Sequence, residues 1–138
     1  MKHYFANLIL VLSIVTTFAA SCRREYPIPN PSLPSTRSIK YILYTTEDFS
    51  DDQHMINFSL RISAKGRYIF DSALAPMRIS EIPDKIHAIV VDKIVPPGFE
   101  RDTLVVGFDY KVPDVGESWF IDTCSPTTSL KRVEFAFR

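Results

Sequence analysis

From Ser38 to Arg138 the apolar and polar side chains alternate with a period of two, the pattern of strands with one face buried and the other in water. Ile56, Phe58, Leu60 and Ile62 alternate with Asn57, Ser59 and Arg61. Leu104, Val106, Phe108, Tyr110 and Val112 alternate with Thr103, Val105, Gly107, Asp109 and Lys111. Near the C-terminus Val133, Phe135 and Phe137 alternate with Arg132, Glu134, Ala136 and Arg138. Residues 39–45 (IKYILYT) and 86–95 (IHAIVVDKIV) are apolar on both faces, which predicts two central strands. Shorter strands are predicted over 67–71, 76–80 and 118–123, and no ten-residue stretch here carries an apolar stripe at helical spacing.

Turn chemistry separates these runs. Ala64-Lys65-Gly66 supplies a glycine for a left-handed position and predicts a hairpin. Pro96-Pro97-Gly98 and Pro113-Asp114-Val115-Gly116 supply further breaks. Seven or eight strands over residues 38–138 predict an all-β domain, a two-sheet antiparallel sandwich of immunoglobulin-like or transthyretin-like kind. A closed eight-stranded membrane barrel is the rival fold. It fits poorly, because its strands would be apolar on one face only.

Upstream of the domain the pattern changes. Lys2 is the only charge before Arg23, and Tyr4–Ala20 is apolar or weakly polar throughout. A positive start, an apolar run and small residues at its end predict an export signal over residues 1–21. Seventeen residues make a helix of about 25 Å, short for a hydrocarbon layer of about 30 Å. The run closes in Ala19-Ala20-Ser21-Cys22, which resembles the lipobox of bacterial lipoproteins. That resemblance implies cleavage between Ser21 and Cys22 and lipidation of Cys22, with Ala19 standing where a larger aliphatic residue is usual. Two or three acyl chains hold a protein stably at a membrane, where one binds reversibly. Residues 23–37 carry prolines at 27, 29, 31 and 34, a spacing that excludes helix and interior strand and suits an extended spacer.

The chain as a whole is 138 residues long, enough for one domain besides these segments. Sixteen basic and sixteen acidic side chains leave no net charge, which argues against nucleic acid as a partner. The segments YILYTTEDFSDD (41–52), IFDSALAPMRISEIPD (69–84), TLVVGFDYKV (103–112), VGESWFIDT (115–123) and LKRVEFAFR (130–138) together resemble a family of small lipoproteins of Bacteroidota. What the resemblance implies is an exported, membrane-anchored β-domain with no established activity and no catalytic residues. Surface-exported members of that group carry acidic residues after the lipidated cysteine. Arg23-Arg24 depart from this, so the outer-membrane anchor leaves the periplasmic face and the cell surface equally open.

Candidate chemistry is sparse, and no motif implies a cofactor. Glu47, Asp48, Asp51 and Asp52 form a carboxylate cluster of the kind a calcium ion needs, without the spacing of a calcium loop. The simpler expectation is a solvated acidic turn. His54 and His87, with Cys124, lack zinc-ligand spacing, and His87 is expected on a strand. With Cys22 lipidated, Cys124 is left as a lone thiol, expected to be buried. Gly116-Glu117-Ser118-Trp119 lacks the second glycine of a nucleophile elbow. Glu117 and Asp122 are the carboxylates a small hydrolase would use.

Trp119 and Phe120 must face opposite ways on a strand. The expected arrangement puts Trp119 in the core and Phe120 beneath the 113–117 loop. The other arrangement leaves one of the two rings outside as a ligand contact. The functional expectation is therefore a lipid-anchored, non-catalytic binding or accessory module with a protein or glycan partner. The alternatives are the small hydrolase and a calcium-stabilised glycan-binding domain.

Overall fold

A computed structural model describes residues 33–138. The predicted export signal, the Ser21/Cys22 cleavage and lipidation site and most of the Pro-rich spacer lie outside these residues. The described chain forms eight strands: β1 (Ser38–Thr45), β2 (Met55–Ala64), β3 (Arg67–Ala73), β4 (Met77–Arg78), β5 (Ile89–Ile94), β6 (Leu104–Val112), β7 (Gly116–Cys124) and β8 (Leu130–Phe137). They build two sheets, one ordered β5-β1-β8 and the other β3-β2-β6-β7 with β4 paired to β2. This is the two-sheet all-β sandwich that the alternation predicts.

Period-two burial assembles the core. On β2, Ile56, Phe58, Leu60, Ile62 and Ala64 are buried, and on β6 Leu104, Val106, Phe108 and Val112 meet them across the sheet. From the smaller sheet come Ile39, Tyr41 and Leu43 on β1 and Val133 and Phe137 on β8. Phe58, Phe108, Tyr110, Phe120, Phe135 and Phe137 form one aromatic cluster with ring centroids 5.4–6.4 Å apart. Tyr41 packs edge-on to Phe108 and satisfies its buried hydroxyl by donating to the Arg61 carbonyl at 2.6 Å. Burial pushes the Tyr41 hydroxyl well above its ordinary ionisation range.

The turns follow their residues. Lys65 (φ 51°) and Gly66 (φ 75°) are both left-handed, as the two-residue β2–β3 hairpin requires. Between β6 and β7, Pro113 is followed by Asp114 at φ 64°, and the Val115 N–H donates to the Val112 carbonyl at 3.1 Å, the arrangement of a type II turn.

Three features differ from the sequence expectation. The β1–β8 pairing is parallel, because the first and last strands run side by side in the same direction, whereas the other pairings are antiparallel. The segment 86–95 yields an edge strand, β5, with Val90 and Ile94 facing water (Ile94 73% exposed). Only β1, flanked on both sides, is a central strand of that sheet. Within 76–80 only Met77 and Arg78 pair with β2, and Ile79–Glu81 turn into a 3-10 helix that drops Ile79 into the core.

Lysines mark both margins of the smaller sheet. Lys93 on β5 and Lys131 on β8 pair with core-facing Ile39 from either side. Lys93 places its ammonium 4.8 Å from the Phe70 ring, and Lys131 contacts Asp122 on β7 at 2.5 Å. Inward charges of this kind discourage edge-to-edge pairing with another chain.

Candidate binding face

The larger sheet turns one side to the core and leaves the other uncovered among the described residues. Register places the outward side chains in rows. Ser59, Asp109 and Trp119 are neighbours across β2, β6 and β7, and so are Arg61, Gly107 and Ile121. Asn57, Lys111 and Glu117 form a third row. On β3, Asp71 pairs with Arg61, and Tyr68 pairs with Ser63 beyond a register shift.

Trp119 is 65% exposed and Tyr68 62% exposed. Phe120 points the other way and stacks on Phe135 at 5.4 Å between ring centroids. The expected orientation of this pair is thus reversed. The physical reason is parity: Cys124 and Phe120 share a face, and Phe120 fills the gap above Phe135, which puts Trp119 in water.

Arg61 organises the middle of the face. Its guanidinium pairs with the Asp109 carboxylate and lies 4.8 Å from the centre of the Tyr68 ring. Partial burial pushes the Asp109 carboxyl above its ordinary value, and the nearby charges of Asp71 and Glu117 push the same way, against the pull of Arg61. Gly107 is buried between Arg61 and Ile121. A Cβ there would sit 2.0 Å from the Phe120 carbonyl oxygen, so only glycine lets β7 lie this close to β6.

Two shallow hollows share Arg61, Glu117 and Trp119 as walls. One, about 540 Å³, also takes in Ser63, Tyr68, Val105 and Ile121. The other, about 340 Å³, extends over Asn57, Ser59, Asp109 and Lys111.

The remaining candidates fall elsewhere. Glu117 and Asp122 are five positions apart on β7 and face opposite sides of the sheet, so the structure does not bring them to one cleft. Asp122 instead bonds Lys131, which with the Thr123 N–H holds its carboxyl below the usual range.

Glu47, Asp48, Asp51 and Asp52 lie in the β1–β2 loop, where Asp48 to His54 rim an open hollow of about 690 Å³. Their carboxylates do not converge. Asp48 accepts the Ser50 N–H, and Asp52 accepts both the N–H of His54 and its ring Nδ1 at 2.7 Å. Those bonds lower the Asp48 and Asp52 carboxyls. Among the described residues no three His, Cys, Asp or Glu side chains are grouped as a metal would require.

His87 lies in the bend before β5, exposed, with Nδ1 2.9 Å from Asp84, and not on a strand. Cys124 is buried and unbridged among the described residues.

Of the residues that define the face, Trp119 and Glu117 were legible as candidates. Tyr68, Arg61 and Asp109 carry no motif of their own in the sequence, which locates them only as outward or turn-proximal positions through the alternation and hairpin signals. No family model matches the chain, and no curated protein or solved structure matches it.

Proposed function

We propose that this protein is an exported, lipid-anchored binding module of the bacterial cell envelope, non-catalytic, which presents the outer face of its larger sheet to a partner. The observation that carries the reading is the exposed Trp119, set on a sheet face beside the ordered Arg61–Asp109 pair and opposite a second exposed ring, Tyr68. Large aromatic side chains left in water beside fixed polar groups are the anchors that binding surfaces use. The anchor is inferred from the apolar run before Ser21-Cys22, its likeness to small lipoproteins of Bacteroidota, and the prolines at 27, 29, 31 and 34 that would hold the domain off the outer membrane.

Two measurements test the two halves of this reading. Cells expressing the full chain incorporate a palmitate analogue into wild type and none into Cys22→Ala, which appears in the soluble fraction. The mature domain sediments with isolated cell envelopes, and Trp119→Ala abolishes that sedimentation. Envelope binding that is indifferent to Trp119 would exclude this face as the docking surface.

A further inference from the structure

Resting on that reading of the outer face, the ligand's chemistry can be narrowed from the side chains that would meet it. The two exposed rings stand apart. Trp119 is aligned with Ser59 and Tyr68 with Ser63, four positions along β2, which is about 13 Å. Three strand spacings, about 14 Å, separate β3 from β7 across the sheet. Between them the floor is mixed: Ser63, the Arg61–Asp109 pair and the bare backbone at Gly107 interrupt the apolar side chains of Val105 and Ile121, and Glu117 lies beyond Trp119 in the row of Asn57 and Lys111.

A protein partner of ordinary affinity needs a contiguous apolar centre, and two rings whose intervening floor carries the charged Arg61–Asp109 pair do not supply one. A sugar chain has the opposite requirement. Each pyranose ring offers an apolar C–H face, attracted to the negative face of an aromatic ring, and a rim of hydroxyls that must keep hydrogen bonds when they leave water.

The polar groups match that rim. Arg61 offers donors in a planar fork, Asp109 and Glu117 offer acceptors, and Asn57 and Ser59 on the neighbouring hollow offer both. The ion pair fixes Arg61 and Asp109 before any ligand arrives, which lowers the ordering cost of binding.

Charge narrows the class further. The outward carboxylates Asp71, Asp109 and Glu117 outnumber the outward bases Arg61 and Lys111, and Asp71 and Glu117 already repel a third negative charge at Asp109. An anionic ligand would meet a field of its own sign.

We propose that this face binds a neutral oligosaccharide, with Trp119 and Tyr68 stacking on separate sugar rings, Arg61 and Asp109 bonding the hydroxyls between them, and Glu117 bonding those on the far side of Trp119. The spacing of the rings requires an extended chain, so a single sugar occupies one platform and binds weakly.

Trp119 is the only tryptophan in the chain, so intrinsic fluorescence reads the site directly. The probes are cellohexaose, mannohexaose, chitohexaose and, as the acidic counterpart, hexagalacturonate. At least one neutral hexasaccharide shifts Trp119 emission saturably, the corresponding monosaccharide does not at the same concentration, and hexagalacturonate gives no saturable change.

By calorimetry, Trp119→Ala and Tyr68→Ala each weaken binding about tenfold or more. Val90→Ser, on the outer face of the other sheet, leaves it unchanged, and circular dichroism confirms that all three variants are folded. Silence from every neutral probe, or saturation by hexagalacturonate alone, overturns the proposal. If sedimentation with envelopes depends on Trp119 but is lost when the envelopes are first treated with protease, the ligand is a protein: the glycan assignment fails while the binding-module reading stands.

Discussion

Arg37, one position before β1, is 2% exposed and has no carboxylate partner among the described residues. Its Nη1 donates to the carbonyls of Phe99 (2.9 Å) and Asp102 (2.8 Å), and its Nη2 to those of Cys124 (3.2 Å) and Ser125 (3.0 Å) and to the Cys124 sulfur. Four oriented carbonyl dipoles take the place of water around the charge, while Nε is buried without an acceptor among the described residues. One side chain thereby ties the start of β1 to the loop before β6 and to the end of β7. Replacing it strands those carbonyls. Arg37→Met is expected to cost about 3 kcal/mol in denaturant unfolding. Arg37→Lys recovers only part of that, because a point charge cannot reach both carbonyl pairs as the planar fork does. A fully stable Arg37→Met variant would show that the clamp is idle. The same dependence on shape operates at Gly107, where the absence of a Cβ admits the β7 backbone and so sets the height at which Trp119 stands on the face.

Among the elements, β7 and β8 carry the most information. On β7 the outward positions Glu117, Trp119 and Ile121 alternate with inward Phe120, Asp122 and Cys124, so one strand serves both the binding face and the core. Asp122 at its margin is held below its ordinary range by Lys131, and wild type therefore gains stability over Asp122→Asn above the ordinary carboxylate value of 3.8 and loses it as pH falls through the lower folded value. Thermal melting should place wild type above Asp122→Asn at neutral pH, with the gap closing below about pH 4. A gap that persists in acid would refute the ion pair as its source. On β8, Val133 and Phe137 are buried and Phe135 packs against four rings of the cluster and against Phe137. Each such side chain contributes about 1.5–3 kcal/mol when buried. Deleting residues 133–138 also unpairs β1 along Tyr41–Thr45, so the truncated chain is expected to yield no soluble folded domain by circular dichroism and gel filtration. A truncated domain with unchanged melting would refute this placement of β8.

For the molecule as a whole, the sandwich was legible because burial in a strand has a period of two and this chain keeps that period through the three long runs at 56–62, 103–112 and 132–138. The long strands β2, β6 and β8, the hairpin at Lys65-Gly66 and the break at Pro113–Gly116 follow from local chemistry. Where a segment sits within its sheet does not. Residues 86–95 read as central because both faces are apolar, yet β5 lies at an edge, since pairing partners come from distant parts of the chain and leave no local trace. The parallel partnership of β1 with β8 escaped for the same reason.

The face itself divides along similar lines. Alternation alone requires that Trp119 and Phe120 part company, and the sequence goes no further than that. Which ring went inside was decided by Phe135 on a strand fifteen residues away, and the joining of Tyr68, Arg61, Asp109 and Trp119 into one surface was decided by the order β3-β2-β6-β7. Local periodicity determines which side chains can share a face, because it is fixed by backbone geometry within each strand. The partners a face gathers depend on tertiary pairing, which sums weak contacts across the whole fold.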